Sequence, residues 1–309
     1  MIQVNNLVKR YGGLIALDHF DMDIRKGEIF GLLGPNGSGK TTAINCILSL
    51  LKYSKGEVKI FGEPMRPENY DLKRRIGVVM QNVAVFNELT VIENIDYFCG
   101  LYVPDRVRCK KLVDEAVTFT GLEDYRKFLP RKLSGGLLRR LNIACGIAHQ
   151  PELIFMDEPT VAVDPQSRNH ILEGIRELNR NGATVVYTSH YMEEVEQLCT
   201  RIMIMDKGKA VATGTKEELK AMIRTGEKMT AEIFALPQKV LNEIQDLDGV
   251  FQTLYENDLL TARYISGSNH LTMILDVLRR NNVVFGRITS EPPTLNDVFL
   301  EITGKDLKD

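Results

Sequence analysis

The stretch GPNGSGKT, Gly34 to Thr41, constrains the fold of this chain more than any other because it fits the pattern G-x-x-x-x-G-K-[ST]. The apolar run EIFGLLG precedes it as a buried strand, and TTAINCILSLLK follows it as a helix. Glycines let the backbone of such a loop wrap closely around a ligand. Backbone N–H groups of the loop and of the helix start then face phosphate oxygens. The sequence therefore predicts a phosphate site between a strand and a helix.

Two residues at the end of this loop have distinct predicted roles. Lys40 is predicted to reach the β- and γ-phosphates of a bound nucleotide, and the Thr41 hydroxyl is predicted to bind Mg²⁺. A glycine-rich turn without a ligand is the alternative, and the strand before the loop and the helix after it disfavour that alternative. The other residues predicted to contact the nucleotide here are Gly34, Pro35, Asn36, Gly37, Ser38, Gly39 and Thr42.

A second element, LIFMDE, runs from Leu153 to Glu158 and places two acids after four apolar residues. The acids lie at the carboxyl end of a predicted buried strand, the edge at which open α/β sheets bind ligands. Asp157 suits the coordination of Mg²⁺, and Glu158 suits polarising an attacking water. Alone, the pattern also fits a strand that merely ends in acids before Pro159. Beside a phosphate loop, the catalytic interpretation is favoured.

The order of predicted elements indicates two domains. Strands and helices alternate on both sides of a mostly helical stretch, which favours a mostly parallel sheet in an α/β fold. After about residue 225 the order becomes βαββαβ, consistent with a small α+β, ferredoxin-like unit. We therefore expect domains at 1–225 and 226–309, with a boundary near Thr225-Gly226 and a helical subdomain at about 83–150.

Composition excludes several classes of protein. The net charge of −2 lacks the basic excess of a nucleic-acid-binding domain, so no nucleic-acid partner is expected. The five scattered cysteines contain no Cys-x-x-Cys pair and are typical of reduced thiols in a cytosolic protein. The N-terminus lacks the apolar region of a signal peptide, and no run of about 18 apolar residues predicts a transmembrane helix. Any role at a membrane must then involve a partner.

Between the two phosphate-site elements lies LSGGLLRR, Leu133 to Arg140, in which Ser134, Gly135 and Gly136 precede a helix and form a second anion-binding helix start. With this signature segment, roughly residues 1–220 closely resemble the ABC ATPases, whose motifs occur in the same order. The resemblance implies a P-loop cassette with a RecA-like core, an antiparallel β subdomain and a helical subdomain. It also implies a head-to-tail homodimer, in which each ATP lies between the phosphate loop of one subunit and the signature segment of the other.

The resemblance assigns roles to further positions. Tyr11 matches the aromatic residue that stacks on adenine, and Gln81 matches the glutamine that contacts Mg²⁺ and water and links to the helical region. His190 matches the histidine at the γ-phosphate, and Asp164 lies in the loop that crosses the dimer interface. Alone, Tyr11 also fits a surface tyrosine and His190 a structural histidine. The expected catalytic residues are Glu158, His190, Gln81 and Lys40, and the expected metal ligands are Thr41, Gln81 and Asp157.

Two departures from the family pattern are evident. Leu137 stands where the signature usually has Gln, and its side chain forms no hydrogen bonds. The crossing loop reads Val161-Ala162-Val163-Asp164 instead of Ser-Gly-Leu-Asp. These changes put cross-talk between the two sites in doubt. The backbone N–H groups of Gly135 and Gly136 and the catalytic residue types are retained, so an active ATPase is still expected.

The tail EPPTLNDVFLEITG and the stretch HQPELIFMDEPTVAVDPQSR resemble ATPase subunits of bacterial drug, antibiotic and sodium exporters, including the linearmycin-resistance type. This resemblance implies export of a drug, antibiotic, lipid-like molecule or ion through separate integral membrane permease subunits. It places the chain in the cytoplasm, peripheral on the inner face of the membrane. A docking groove is expected within residues 82–100 from Val85, Phe86, Val91 and Phe98.

Two alternatives remain open at this stage. One is an importer ATPase with a regulatory C-terminal domain, which would share the βαββαβ tail but requires a small-ligand site. The other is a soluble, non-transport ABC ATPase acting on ribosomes or DNA. The single phosphate loop, the lack of a long coiled-coil insertion and the acidic balance disfavour this second alternative.

Overall fold

The computed structural model describes residues 1–223, 226–265 and 269–304. The chain forms two compact units, Met1–Thr215 and Lys216–Asp309. The first therefore ends earlier than the boundary expected near Thr225-Gly226, of which Thr225 lies outside the described residues. The helix Lys216–Ala221 explains the difference, since it contacts the last helix of the second unit.

The first unit contains ten strands and seven α-helices among its described residues. The strands are β1 (Ile2–Tyr11), β2 (Leu14–Ile24), β3 (Ile29–Leu33), β4 (Lys55–Ile60), β5 (Glu63–Pro64), β6 (Ile76–Val79), β7 (Leu153–Asp157), β8 (Thr184–Ser189), β9 (Arg201–Asp206) and β10 (Lys209–Gly214). The helices are α1 (Lys40–Ile47), α2 (Tyr70–Lys73), α3 (Val91–Gly100), α4 (Arg106–Thr120), α5 (Gly135–Ile147), α6 (Pro165–Arg180) and α7 (Met192–Leu198).

Four strands of the first unit form an antiparallel sheet in the order β2-β1-β4-β5. Apolar residues of β1 and β2 alternate with exposed ones, so one face of the sheet is buried and the other faces solvent. The turn between β1 and β2 contains Gly12, whose φ of 58° favours glycine. This sheet is the antiparallel β subdomain predicted above.

The main sheet has the order β10-β9-β3-β8-β7-β6. Its five strands from β9 to β6 run parallel, as predicted, and β10 pairs antiparallel with β9. Every residue of β3, β7 and β8 is buried, as expected for central parallel strands covered on both faces. The carboxyl ends of β3, β6, β7 and β8 therefore meet at one edge of the sheet, where ligands bind in this architecture.

Among the described residues, one hydrophobic core of this unit surrounds α1 and another lies among α3, α4 and α5. Helix α1 buries Ala43, Ile44 and Ile47 in a core shared by both sheets. Helices α3, α4 and α5 form a separate core around Ile95 and Val113, which makes them the helical subdomain. All five cysteines are free and buried. Within the described ranges, no helix has the length and apolar character needed to cross a membrane.

The second unit has the predicted βαββαβ order, preceded and followed by a helix. Its elements are α8 (Lys216–Ala221), β11 (Glu227–Ile233), α9 (Gln238–Gln245), β12 (Val250–Glu256), β13 (Leu259–Tyr264), α10 (His270–Arg280), β14 (Phe285–Glu291) and α11 (Leu295–Thr303). The antiparallel strand order β12-β13-β11-β14 is that of a ferredoxin-like sheet. Met229, Ala231 and Ile233 alternate along β11 and pack in the core with Val240 and Ile274 of α9 and α10.

Candidate active site

The loop between β3 and α1 has a backbone that only glycine accommodates at several positions. Gly37 and Gly39 have φ values of 80° and 106°, in the left-handed region. A Cβ atom at Gly34 would lie 2.3 Å from the carbonyl oxygen of Met205. Helix α1 begins after Gly39 without a side chain that caps its first turn. The free N–H groups of this turn therefore remain available for an anion.

Lys40 turns its ammonium group back over this loop. Its side chain is 5% exposed, and Nζ donates hydrogen bonds to the carbonyl oxygens of Gly34, at 2.8 Å, and Pro35, at 3.1 Å. Burial lowers the pKa of Lys40, and the attraction of Glu158 and Asp157 opposes this effect. The negative groups around it thus compensate for the burial of its charge, as the phosphates of a nucleotide would also do.

Asp157 lies at the carboxyl end of β7 and is almost completely buried. Thr41 Oγ1 donates to Asp157 Oδ2 at 2.8 Å, and Thr188 Oγ1 of the neighbouring strand β8 donates to Oδ1 at 2.6 Å. The described part of the chain has no group of three or more His, Cys, Asp or Glu side chains that would enclose a metal. A hydroxyl and a carboxylate beside a phosphate loop fit Mg²⁺, which usually binds through one or two protein oxygens together with substrate phosphates.

Glu158 is the point at which the predicted catalytic side chains converge. Its carboxylate accepts a hydrogen bond from Gln81 Nε2 at 3.3 Å and lies 3.5 Å from Lys40 Nζ and 3.4 Å from His190 Nδ1. Its backbone has a φ of 48°, which is uncommon for a residue with a side chain. The backbone N–H donates to Thr188 Oγ1 at 2.9 Å, which holds this conformation. The structure therefore brings all four predicted residues together at the sheet edge.

The signature segment is arranged differently. Ser134 is the N-cap of α5 and accepts a hydrogen bond from the N–H of Leu137 at 3.3 Å. Ser134 and Gly135 are exposed, and Gly136 is buried against Asp164 and Ser167. Among the described residues, no hydrogen bond or ion pair joins Ser134 or Gly135 to the phosphate loop of the same chain. This second helix start consequently faces solvent in the single chain.

Two further predicted positions lie on exposed turns. Tyr11 ends β1 with 46% exposure, and Lys9 Nζ lies 4.6 Å from the centroid of its ring. The same hairpin approaches the phosphate loop, because a Cβ at Gly39 would lie 2.9 Å from the carbonyl oxygen of Ala16. Asp164 is the N-cap of α6 and accepts from the N–H of Ser167 at 2.9 Å, which lowers the pKa of Asp164.

Sequence reasoning missed two residues that hold this site. Thr188 holds both Asp157, the last residue of β7, and Glu158, the residue after it, as described above. Arg139 of α5 is buried and donates to the carbonyl oxygens of Met80, at 3.2 Å, and Gln81, at 2.8 Å. Burial lowers the pKa of Arg139, with Asp157 and Glu158 opposing the shift. The sequence offered one weak signal for each residue. Thr188 is a polar residue two positions before His190, and Arg139 is an arginine inside the signature segment.

The groove expected in residues 82–100 is only partly as predicted. Phe86 is 42% exposed, and its ring lies 4.9 Å from that of Tyr97 and 5.9 Å from that of Phe98 between centroids. Val85 and Phe98 are partly buried against the helical core. The prediction was wrong for Val91, which is fully buried at the start of α3, because it faces α4 and α5. Tyr97, which was not predicted, is 47% exposed.

The fold and the phosphate loop define the class of α/β nucleotide-binding ATPases. Comparison with known proteins specifies the family. The sequence profile described as "ABC transporter" matches residues 17–161. The chain is 37% identical to the linearmycin resistance ATP-binding protein LnrL of Bacillus subtilis (strain 168), with 100% of both chains covered. It is 33% identical to the daunorubicin/doxorubicin resistance ATP-binding protein DrrA of Streptomyces peucetius, with 98% of this chain and 92% of DrrA covered.

The chain therefore belongs to the ABC transporter family, and it is an ATP-binding and ATP-hydrolysing subunit. Among solved structures, the cassette MJ0796 in a dimeric post-hydrolysis state bound to ADP and Pi is 28% identical. It matches with a TM-score of 0.64 over 70% of this chain and 98% of that one. The resemblance to ATPase subunits of bacterial drug and antibiotic exporters, and the fold that it implied, are confirmed.

Proposed function

We propose that this chain powers export of a drug-like, antibiotic or lipid-like molecule through separate membrane subunits. The support comes from full-length relatives. Two are named for resistance to linearmycin and to daunorubicin/doxorubicin. A third is the Nod factor export ATP-binding protein I of Cupriavidus metallidurans (strain ATCC 43123 / DSM 2839 / NBRC 102507 / CH34). It is 32% identical to this chain, with 100% of this chain and 99% of the relative covered. An importer would use the second unit to bind a regulator. The full-length match to resistance and export proteins favours export.

The residues around the phosphate loop have the following proposed roles. Lys40 leaves the carbonyl oxygens of the loop and neutralises charge on the transferred phosphoryl group, together with the N–H groups at the start of α1. Thr41, Asp157 and Gln81 hold Mg²⁺, which supplies further neutralisation of phosphate charge when bound. Each of these residues contributes a side-chain oxygen or cation from the same sheet edge.

The hydrolysis step depends on the groups around Glu158. We infer that its carboxylate orients the attacking water and that His190, which approaches the same carboxylate oxygen as Lys40, holds the γ-phosphate. Gln81 keeps the carboxylate in place through its hydrogen bond and senses the state of the site. Arg139 transmits that state to the helical subdomain because it connects α5 with the Gln81 carbonyl.

The exposed signature segment supports a composite site formed by two chains. Ser134, Gly135 and Gly136 would bind the γ-phosphate of ATP held by a second, identical chain, and Asp164 would lie at the interface between them. Tyr11 would stack on adenine. Two solved forms of MJ0796 that match this chain are dimeric, and one of them is the post-hydrolysis complex with ADP and Pi.

A permease partner is proposed for the helical subdomain. The exposed rings of Phe86 and Tyr97 lie near the segment after Gln81, so that a docked membrane subunit would detect nucleotide through that segment. This arrangement would place the chain in the cytoplasm, peripheral on the inner face of the membrane.

The convergence of Lys40, Gln81 and His190 on the Glu158 carboxylate is the observation that carries the proposed catalytic roles. Mg²⁺-dependent ATPase activity of the purified chain, compared with Glu158→Gln, tests these roles. We expect hydrolysis to fall about 100-fold or more in the variant, with ATP binding retained and an ATP-dependent dimer visible by size-exclusion chromatography. Wild-type rates in Glu158→Gln would contradict the assigned role of this carboxylate.

A further inference from the structure

A buried carboxylate behind the site, that of Glu194 in α7, has no role in the proposal above. The side chain is 5% exposed, and it is contacted by residues of β8, of α6 and of the turn after β7. A charged group that is removed from water requires close polar or charged partners. Its partners therefore indicate what the carboxylate does for the fold and for the site.

Three hydroxyl groups donate to one oxygen of this carboxylate. Glu194 Oε2 accepts from Tyr187 at 2.6 Å, from Thr160 at 2.7 Å and from Ser189 at 3.3 Å. Tyr187 and Thr160 are fully buried, and their own oxygens lie 3.2 Å apart. Burial and the proximity of Glu194 raise the pKa of Tyr187 well above its ordinary value, so the phenol is a stable donor.

The other oxygen faces a cation from a different helix. Glu194 Oε1 lies 3.1 Å from Arg168 Nε of α6. The guanidinium of Arg168 also lies over the ring of Tyr191, 5.0 Å from its centroid. Arg168 is one helical turn after Asp164, to whose carbonyl oxygen its backbone N–H donates at 2.9 Å. The contact between Arg168 and Glu194 is an ion pair without hydrogen-bond geometry, and it links the start of α6, just after the proposed interface loop, to the same carboxylate by charge attraction.

Two of the three hydroxyl partners lie within two residues of a proposed catalytic residue in the chain. Thr160 is two residues after Glu158, in the turn whose N–H of Val161 donates to the Glu158 carbonyl at 3.3 Å. Ser189 immediately precedes His190, at the end of β8. Glu194 therefore fixes the segment of the proposed water-orienting residue and the segment of the proposed γ-phosphate residue from one buried point.

We propose that Glu194 is a positioning residue for ATP hydrolysis, which holds Glu158 and His190 in register with the Asp164 loop. This inference rests on the roles proposed above for those residues. In the proposed dimer, a change at the interface loop would reach the hydrolytic groups through Arg168 and Glu194. Small displacements of groups around a reacting centre have large effects on rate, so loss of this anchor should slow the chemical step more than it weakens ATP binding.

Glu194→Gln tests the proposal because glutamine has nearly the same size but lacks the negative charge that faces Arg168. We expect kcat for ATP hydrolysis by the full chain to fall about tenfold, while KM for ATP stays within about twofold. A purely structural role would lower thermal stability without this selective effect on kcat.

Glu28→Gln is the matched control. Glu28 lies just before the amino end of β3, away from the catalytic edge, and its carboxylate pairs with Arg201 Nη1 at 2.7 Å. The side chains of this pair are 13% and 17% exposed, so they are also largely buried. We expect Glu28→Gln to lower the melting temperature and leave kcat unchanged. An equal fall in kcat in both variants, or wild-type kcat in Glu194→Gln, would overturn the proposal.

Arg168→Gln provides a second measurement, which does not require the Glu194 variant to fold. The Arg168 side chain is 33% exposed, so we expect this variant itself to fold. A several-fold loss of kcat at unchanged KM supports the proposal, and wild-type kcat contradicts it. Glu158→Gln in the same assay separates the two hypotheses. Retained hydrolysis in Glu158→Gln rejects the proposed catalytic roles, whereas normal hydrolysis in Glu194→Gln beside an inactive Glu158→Gln rejects only the role of Glu194.

Discussion

The two glycine-rich helix starts of this chain differ in what surrounds them. The start of α1 is lined by the buried cation of Lys40 and by the acids Asp157 and Glu158. The start of α5 is capped by its own Ser134, and Gly135 is exposed. Both have free N–H groups that favour an anion, but only the first has side chains that hold a nucleotide and act on it.

This difference between the two helix starts explains why one chain contains both of them. A helix start alone contributes partial charge, and its effect is screened when solvent reaches it. The start of α5 becomes effective only when another surface excludes water from it. The first helix start is thus complete within the chain, whereas the second would be completed by a second chain. Substitutions at the start of α1 and at the start of α5 should consequently have different effects on ATP binding, stability and turnover.

Lys40→Met should have the largest effect and should act in the isolated chain. Methionine retains much of the volume of lysine but removes the ammonium group. A hydrogen bond to a charged group contributes about 1.5–3 kcal/mol, so we expect ATP to bind roughly 10- to 100-fold more weakly. Titration calorimetry of the monomer with ATP measures this change. Unchanged affinity would mean that the loop backbone alone holds the phosphates.

Gly136→Ala should reveal the structural part of the second helix start. A Cβ atom at this position would lie 2.5 Å from Ser167 Oγ and 2.9 Å from Asp164 Oδ2, so the start of α6 must shift. We expect the free energy of unfolding to fall by about 1–3 kcal/mol, the usual cost of overpacking. Urea denaturation followed by circular dichroism checks this value, and full stability would show that α6 adjusts freely.

Gly135→Ala is the matched substitution one residue earlier. A Cβ atom there meets only the Ala162 carbonyl oxygen, at 3.8 Å, so stability should stay within about 0.5 kcal/mol of the wild type. ATP binding by the monomer should not change. Turnover should fall about tenfold, because the new methyl group keeps a phosphate away from the N–H groups.

Mixing Gly135→Ala with Lys40→Met extends this test to the composite site. In a head-to-tail mixed dimer, one site combines the intact phosphate loop of the first variant with the intact signature segment of the second. The mixture should then hydrolyse ATP several-fold faster than the average of the two variants measured separately. Activity equal to that average would argue against sites shared between chains.

The sequence predicted most of the fold because local patterns determine it. GPNGSGKT requires a strand before it and a helix after it, and the buried runs of β3, β7 and β8 have no polar face. The place and direction of β10 in the sheet were not predictable from the sequence. Most residues of β10 are exposed, and its antiparallel pairing depends on contacts with β9. The earlier unit border depends on packing of α8 against α11, which no local signal encodes.

The candidate site was predictable only where residues form motifs. Asp157 and Glu158 follow a buried strand, and His190 ends another, so their positions could be read from the sequence. Thr188 and Glu194 have no motif of their own. They matter because β7 and β8 are adjacent and α7 packs against β8, which is information that only the three-dimensional fold contains.

Ala162→Gly should have the smallest effect and refines the contrast at the second helix start. Ala162 has a φ of 59°, which costs an L-residue about 1 kcal/mol, and glycine would remove that cost while losing some chain entropy. We expect a net gain of roughly 0.5 kcal/mol in the free energy of unfolding. Ala210→Gly, at an exposed position in β10, is the control and should lose stability instead, by roughly 0.5–1 kcal/mol. If both variants lose stability, Ala162 does not strain the crossing loop. The replacement of the usual glycine by Ala162 would then affect only contacts made with a second chain.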